Sequence, residues 1–142
     1  MYYQKIVLIL LLYDSKIYLG DYMIIKIVIA GCRNFNNYEL AKEFIDLCIS
    51  DIRGENEIVI ISGGAKGADS IGEQYAKENG FEIQRFPADW KRYGRSAGPK
   101  RNKEMAEYCD FAICFWDGKS KGTKSMIGYA EKLGKIVKIK YI

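Results

Sequence analysis

From Ile24 onward, short apolar runs and amphipathic stretches take turns along the chain. Residues 24–30 read Ile-Ile-Lys-Ile-Val-Ile-Ala, a nearly continuous apolar run rich in β-branched side chains. That is the pattern of a strand buried on both faces. Asn36 or Asn37 then caps a predicted helix over 38–53, with Leu40, Phe44, Leu47 and Ile52 as its apolar stripe and Gly54 as its stop. Residues 58–62 form a second strand. A second helix covers 68–79 and ends at Gly80. Residues 82–86 make a shorter third strand, and 87–98 a loop. Pro99 suits the first position of a helix reaching Tyr108. A fourth strand follows at 111–116, then a helix over 123–133 with Met126, Ile127, Ala130 and Leu133 inward and Gly134 at its end. Residues 136–139 are a fifth strand.

Strands that read as apolar runs, alternating with helices, predict a mainly parallel five-stranded sheet covered on both faces. Right-handed crossovers make this an α/β Rossmann-like three-layer sandwich. Residues 1–22 follow another pattern. Ile6 to Leu12 is an apolar run of seven, too short to span a bilayer. Lys5 precedes it as in a signal peptide, but no small-residue cleavage site follows, and Asp14, Lys16 and Asp21 interrupt the pattern. Two readings stay open for this stretch: an extra N-terminal edge strand or hairpin, or residues preceding a true start at Met23. The expected division is an extension at 1–23 and one domain at 24–142.

Composition narrows the chemistry. The chain of 142 residues is 49% hydrophobic and 28% charged, which suits one soluble globular domain and argues against disorder. It contains no histidine, which excludes Ser-His-Asp and Cys-His catalysis and every His-containing zinc site. Cys32, Cys48, Cys109 and Cys114 include no Cys-x-x-Cys pair and do not resemble a secreted disulfide framework. No metal site is expected, and the cysteines read as reduced in a cytoplasmic protein. Residues 85–103 carry seven basic side chains against one acid, a net +6 in a chain whose total is +4. The excess points to an anion at this segment, with a solvated basic loop as the competing reading. A nucleic-acid partner ranks lower, since it usually asks for a wider basic face.

In a doubly wound sheet, ligands bind outside the carboxyl ends of the strands, where the strand order reverses. The loops after the strands therefore carry the candidate site. The first holds Gly31 and Arg33, whose guanidinium follows a central strand. The second reads Ser62-Gly63-Gly64-Ala65-Lys66-Gly67-Ala68-Asp69. Its small residues let backbone approach a ligand, and the amides opening the next helix suit an anion. Neither Gly-x-Gly-x-x-Gly nor a Walker A pattern is present. Asp69 either complements the helix dipole or binds sugar hydroxyls. The third loop brings Trp90, a stacking surface or a core aromatic, and then Arg101 and Asn102 in the first turn of the helix begun by Pro99. A basic side chain there opposes the helix dipole, which points to function. The fourth loop reads Trp116-Asp117-Gly118-Lys119-Ser120-Lys121-Gly122-Thr123. It is a second Gly-rich anion loop in which Ser120 and Thr123 offer hydroxyls.

Four segments in order, Gly63-Gly64-Ala65-x-Gly67-Ala68-Asp69, Phe86-Pro87-Ala88-Asp89-Trp90, Ala97-Gly98-Pro99-x-Arg101-Asn102-x-x-Met105 and Trp116-Asp117-Gly118-x-Ser120-x-Gly122-Thr123, resemble the YspA-like, YpsA-related branch of the SLOG (SMF/DprA–LOG) superfamily. The resemblance spans about residues 24–140. It implies a Rossmann-like fold and a pocket for a nucleotide or nucleotide-derived ligand formed by the glycine loops, in proteins that sense ligands or process nucleotides. The same superfamily contains the lonely-guy phosphoribohydrolases, with the signature Pro-Gly-Gly-x-Gly-Thr-x-x-Glu. Gly122-Thr123 match it, while Met126 stands at the position of the catalytic Glu. A thioether cannot assist departure of a base, so that hydrolysis is not expected.

Three readings follow. The first is a binding or sensing module for a nucleotide-derived small molecule of unassigned identity. In it the loop amides hold phosphate, Arg33 and Arg101 neutralise charge, Asp69 reads ribose, and Trp90 or Trp116 flanks the base. The second is a hydrolase of an N-glycoside or phosphoester bond, with Asp69 or Asp117 as the acid. The third is a single-strand nucleic-acid binder using the basic segment and its aromatics. No further cofactor and no membrane partner are expected. A homodimer or a separate effector protein is the expected recipient of the signal.

Overall fold

The computed structural model describes residues 23–54 and 56–142; the strand or hairpin considered for residues 1–22 lies outside them. Five strands, β1 (Ile24–Gly31), β2 (Glu57–Ser62), β3 (Glu82–Arg85), β4 (Phe111–Trp116) and β5 (Ile136–Tyr141), form one sheet in the order β3-β2-β1-β4-β5. Every pairing is parallel. The helices are α1 (Tyr38–Ile49), α2 (Ala68–Asn79), the single turn α3 (Trp90–Tyr93), α4 (Ala97–Tyr108) and α5 (Lys121–Lys132). The chain is an α/β Rossmann-like three-layer sandwich, as the alternation of runs predicts.

The two faces of the sheet carry separate cores. Ile27, Ile29, Ile60, Ile113 and Phe115 meet Ala41, Ile45 and Ile49 of α1 and Ile71 and Tyr75 of α2 on one side. Val28, Ile61, Ala112 and Cys114 meet Met105 of α4 and Met126, Ile127 and Ala130 of α5 on the other. Met23 belongs to the first core: it is buried, and its carbonyl accepts the Glu57 amide at 2.9 Å. A strand covered on both sides has no polar face to alternate with, which explains the unbroken Ile-rich runs.

Helix boundaries depart from the expectations in identifiable ways. Asn37 caps α1, its side chain accepting from the Leu40 amide at 3.2 Å. The helix ends at Ile49 rather than 53: the Ile52 amide donates to the Ile49 carbonyl in a tighter turn, and the Arg53 amide shares that acceptor. Its inward stripe is Ala41, Ile45 and Ile49, and Leu47 is 74% exposed. Ala41 has no bulk to hold the helix away, so that face closes onto the sheet and the Leu47 side turns to solvent. Leu133, expected inward, caps the end of α5 and is exposed. Pro99 is the third residue of α4, not the first. Proline is tolerated there because the first four amides of a helix have no intrahelical acceptor. The segment expected as a plain loop contains α3, capped by Asp89, and a 3₁₀ turn at Gly94–Ser96.

Candidate nucleotide-binding cleft

Beyond β1 the chain moves outward one way through β2 and β3, and then returns to the other side of β1 for β4 and β5. The crossovers leaving the carboxyl ends of β1 and β4 therefore diverge and open a crevice between them. A compartment of about 350 Å³ occupies this point. Ala30, Gly31, Met105 and Met126 give it an apolar base, and Arg33, Asp69, Arg101, Asn102, Asp117, Ser120, Gly122 and Thr123 bring polar groups to it. A second compartment of about 530 Å³ adjoins it, walled by Gly63, Gly64, Lys66, Arg85, Pro87, Ala88 and Trp90. Arg33, Ala65 and Arg101 border both.

The structure thus gathers most of the residues singled out from sequence. Four of them line neither compartment. Ser62 is fully buried; its hydroxyl accepts from the Gly64 amide at 3.0 Å and donates to Glu73 at 3.0 Å. Gly67 is a steric hinge with φ +78°, where a Cβ would be driven into the carbonyl oxygens of Cys32 and Arg33. Gly118 supplies a turn with φ +78°. Trp116 does not flank the cleft either: its indole N–H donates to the Ser120 carbonyl at 3.1 Å, and its ring packs on Tyr141. Sequence reasoning missed Ala30, Cys32 and Asn34 as cleft residues. They flank Gly31 and Arg33, so their place after β1 was the available signal.

Several loop amides are already engaged by the chain itself. Ala65 N–H donates to Asp69 Oδ2 at 3.1 Å. The amides of Lys119 and Ser120 both donate to Asp117 Oδ1, at 2.8 and 2.7 Å. By contrast, the N-terminus of α5 has no side-chain cap. Gly122 and Thr123 of its first turn line the inner compartment, at the positive end of the helix dipole.

Arg101 is held by its surroundings. Nη1 donates to the Gly63 carbonyl at 2.6 Å and Nε to Asn102 Oδ1 at 3.2 Å, while Asn102 Nδ2 donates to the Gly122 carbonyl at 3.3 Å. This chain of bonds ties α4 to both glycine loops. A side chain at Gly63 would meet Asp69 Oδ2 and the Arg101 guanidinium at 2.8–3.0 Å, so the missing Cβ is what lets the two charged groups close over the loop. Because α4 begins at Ala97, Arg101 and Asn102 lie in its second turn. Neither side chain therefore opposes the dipole at the helix start, contrary to the expectation from sequence; hydrogen bonds hold them instead.

Asp69 is 7% exposed. Burial pushes its carboxyl up to about 6, against the opposing pull of the Ala65 amide and of Arg101 and Arg33. Asp117 moves the other way: the amides of Ser120 and Lys119 hold its carboxyl below the ordinary range. Trp90 is 53% exposed at the outer compartment. Among the described residues no cluster of His, Cys, Asp and Glu fits a metal ion. No helix among them is long and apolar enough to cross a membrane.

The family model described as "YspA, cpYpsA-related SLOG family" matches residues 25–93. The chain is 36% identical over 83 residues to the gene 61 protein of Mycobacterium phage D29, an alignment covering 54% of this chain and 66% of that protein. In fold it is similar to the DNA processing protein A (DprA) of Streptococcus pneumoniae, with TM-score 0.64 and 20% identity over 82% of this chain and 50% of that one. It is similar as well to the structural-genomics target TM1055, with TM-score 0.57 and 18% identity over 80% of this chain and 72% of that one. These two likenesses establish the shared fold. The chain thus matches about two thirds of its phage relative's length and half of the DNA processing protein's.

Proposed function

Because the chain belongs, through residues 25–93, to the YspA, cpYpsA-related SLOG family, we propose that it binds a nucleotide or nucleotide-derived ligand in the cleft between β1 and β4. Family membership supports nucleotide-related binding or processing in general. The observation that carries the finer reading is the meeting of an uncapped helix N-terminus, the anchored Arg101 and the buried Asp69 around one compartment at the switch point. A phosphate belongs at the amides of Gly122 and Thr123, within reach of Arg101 and the Thr123 hydroxyl. Asp69 suits a sugar hydroxyl, and Met105 and Met126 offer polarizable apolar contact. The amides of Gly64, Ala65, Lys119 and Ser120 shape the loops instead of holding the ligand. The test is thermal unfolding of the purified protein against a panel of nucleoside mono- and diphosphates, cyclic nucleotides and dinucleotides. A ligand at a hundred times its Kd stabilises by about 2.7 kcal/mol, a rise of several degrees. A flat response across the panel would sink this reading.

A hydrolase is the second reading, favoured by one observation. A carboxyl poised near 6 inside a ligand-sized cleft is suited to exchange a proton near neutral pH. Release of free base or phosphate from a bound nucleotide, abolished in Asp69→Asn with binding retained, supports turnover. Binding with no product formed assigns the cleft to sensing.

A further inference from the structure

No residue of α5 lines the outer compartment, which has its own chemistry. Trp90 presents a half-exposed indole to it, and Pro87 and Ala88 continue that apolar wall. Arg85 is neutralised there, its Nε donating to Glu73 at 2.7 Å. The Lys66 ammonium and the Arg33 guanidinium are not: neither makes a hydrogen bond or ion pair among the described residues. Arg33 stands with Arg101 on the boundary of the two compartments. Arg101 is fixed through Nη1 and Nε, which leaves its Nη2 edge uncommitted. Cations therefore sit in the middle of the cleft, with an apolar-based chamber on one side and an aromatic-walled chamber on the other. A mononucleotide has its charge at one end. The molecule that matches this order has charge between two ring-bearing halves.

We propose that the ligand is a dinucleotide, two nucleosides joined by a diphosphate bridge, with one bridge phosphate at the α5 N-terminus beside Arg101 and the other on Arg33 between the compartments. One nucleoside fills the inner compartment, and the second base lies against Trp90 in the outer one. The inference rests on the nucleotide reading above and specifies its ligand class. Lys66 contributes charge to the outer half, and Trp90 contributes stacking, which is sequence-tolerant because every base has a π-face.

Calorimetric titration with diadenosine diphosphate, NAD and AMP tests it, on the wild type and on Trp90→Ala and Lys66→Ala. Both side chains are exposed, so both variants are expected to fold. At least one dinucleotide should bind about tenfold or more tighter than AMP, the range expected for one stacked base. Trp90→Ala should remove that margin and leave the AMP affinity within about twofold of the wild type. Lys66→Ala should weaken the dinucleotide and spare AMP. Equal affinities for dinucleotides and AMP overturn the proposal, because the second half then lies in solvent. Parallel losses for AMP and dinucleotide in Trp90→Ala overturn it as well, because one nucleotide then spans both chambers. If AMP and the dinucleotides all fail while another nucleotide of the wider panel binds, the nucleotide reading stands and the dinucleotide falls. If nothing in the panel binds, both fall.

Discussion

The two glycine loops use the same device under opposite constraints. In residues 62–68, Asp69 holds the Ala65 amide; in residues 116–122, Asp117 holds the amides of Lys119 and Ser120. The first loop is wedged between α2, β1 and Arg101. Gly67 abuts the carbonyls of Cys32 and Arg33, and Gly63 abuts Asp69 and Arg101. The second stands clear, with no atom within 4 Å of where a Cβ would be at Gly118 or Gly122. Burial accordingly raises Asp69, whereas hydrogen bonds in the open lower Asp117. A carboxylate capping a loop can thus be pushed up by burial or held down as a settled anion, and desolvation decides which.

Steric substitution breaks the contrast most directly. Gly67→Ala should destabilise the fold by about 3 kcal/mol or more, since the new methyl both overpacks against backbone and demands a positive φ. Urea unfolding measures it, and a loss below about 1 kcal/mol would show that the first loop gives way as easily as the second.

A smaller effect sharpens the electrostatic half. Asp69 has a folded value of about 6 against an ordinary value of 3.8, so the native state retains a proton that the unfolded chain releases. Its contribution is fully present below about pH 3.8 and is lost as pH rises through about 6. Asp69→Asn should abolish that decline and stabilise the protein above pH 6 by on the order of 2 kcal/mol, while its side-chain oxygen still accepts from Ala65. The pH dependence of the unfolding midpoint, compared between variant and parent, is the measurement. An unchanged slope between pH 4 and 6 would place the proton elsewhere.

The smallest changes belong to the open loop. Gly118→Ala should cost about 1 kcal/mol from its positive φ alone. Gly122→Ala, at a helical position with nothing to strike, should be neutral or stabilising by up to about 1 kcal/mol. A cost for Gly122→Ala matching that of Gly67→Ala would erase the distinction between the loops.

Some of this could be read from the chain itself. The apolar runs at 24–30, 58–62 and 111–116 announced buried parallel strands, because a strand covered on both faces is apolar at nearly every position. Gly80 and Gly134 marked helix ends, and both have the positive φ such an end requires. Leu47 shows where periodicity stops: Leu40, Phe44 and Ile52 of the predicted stripe pack in or against the core beside Ala41, Ile45 and Ile49, and only packing turned Leu47 out to solvent. Pro99 shows the same for boundaries, since three positions of a first helical turn tolerate a residue without an amide proton.

Local order along the chain decided that this protein is a wound α/β sandwich with glycine-bearing loops at the strand ends. Only the assembled sheet decided that β4 returns beside β1, which brings residues 31–33, 69, 101 and 122–123 to one crevice. It also decided which loop amides are already engaged and which carboxyl burial pushes up. Those outcomes depend on distances between segments far apart in sequence and on how much water reaches them, and neither quantity is written in any single stretch of residues.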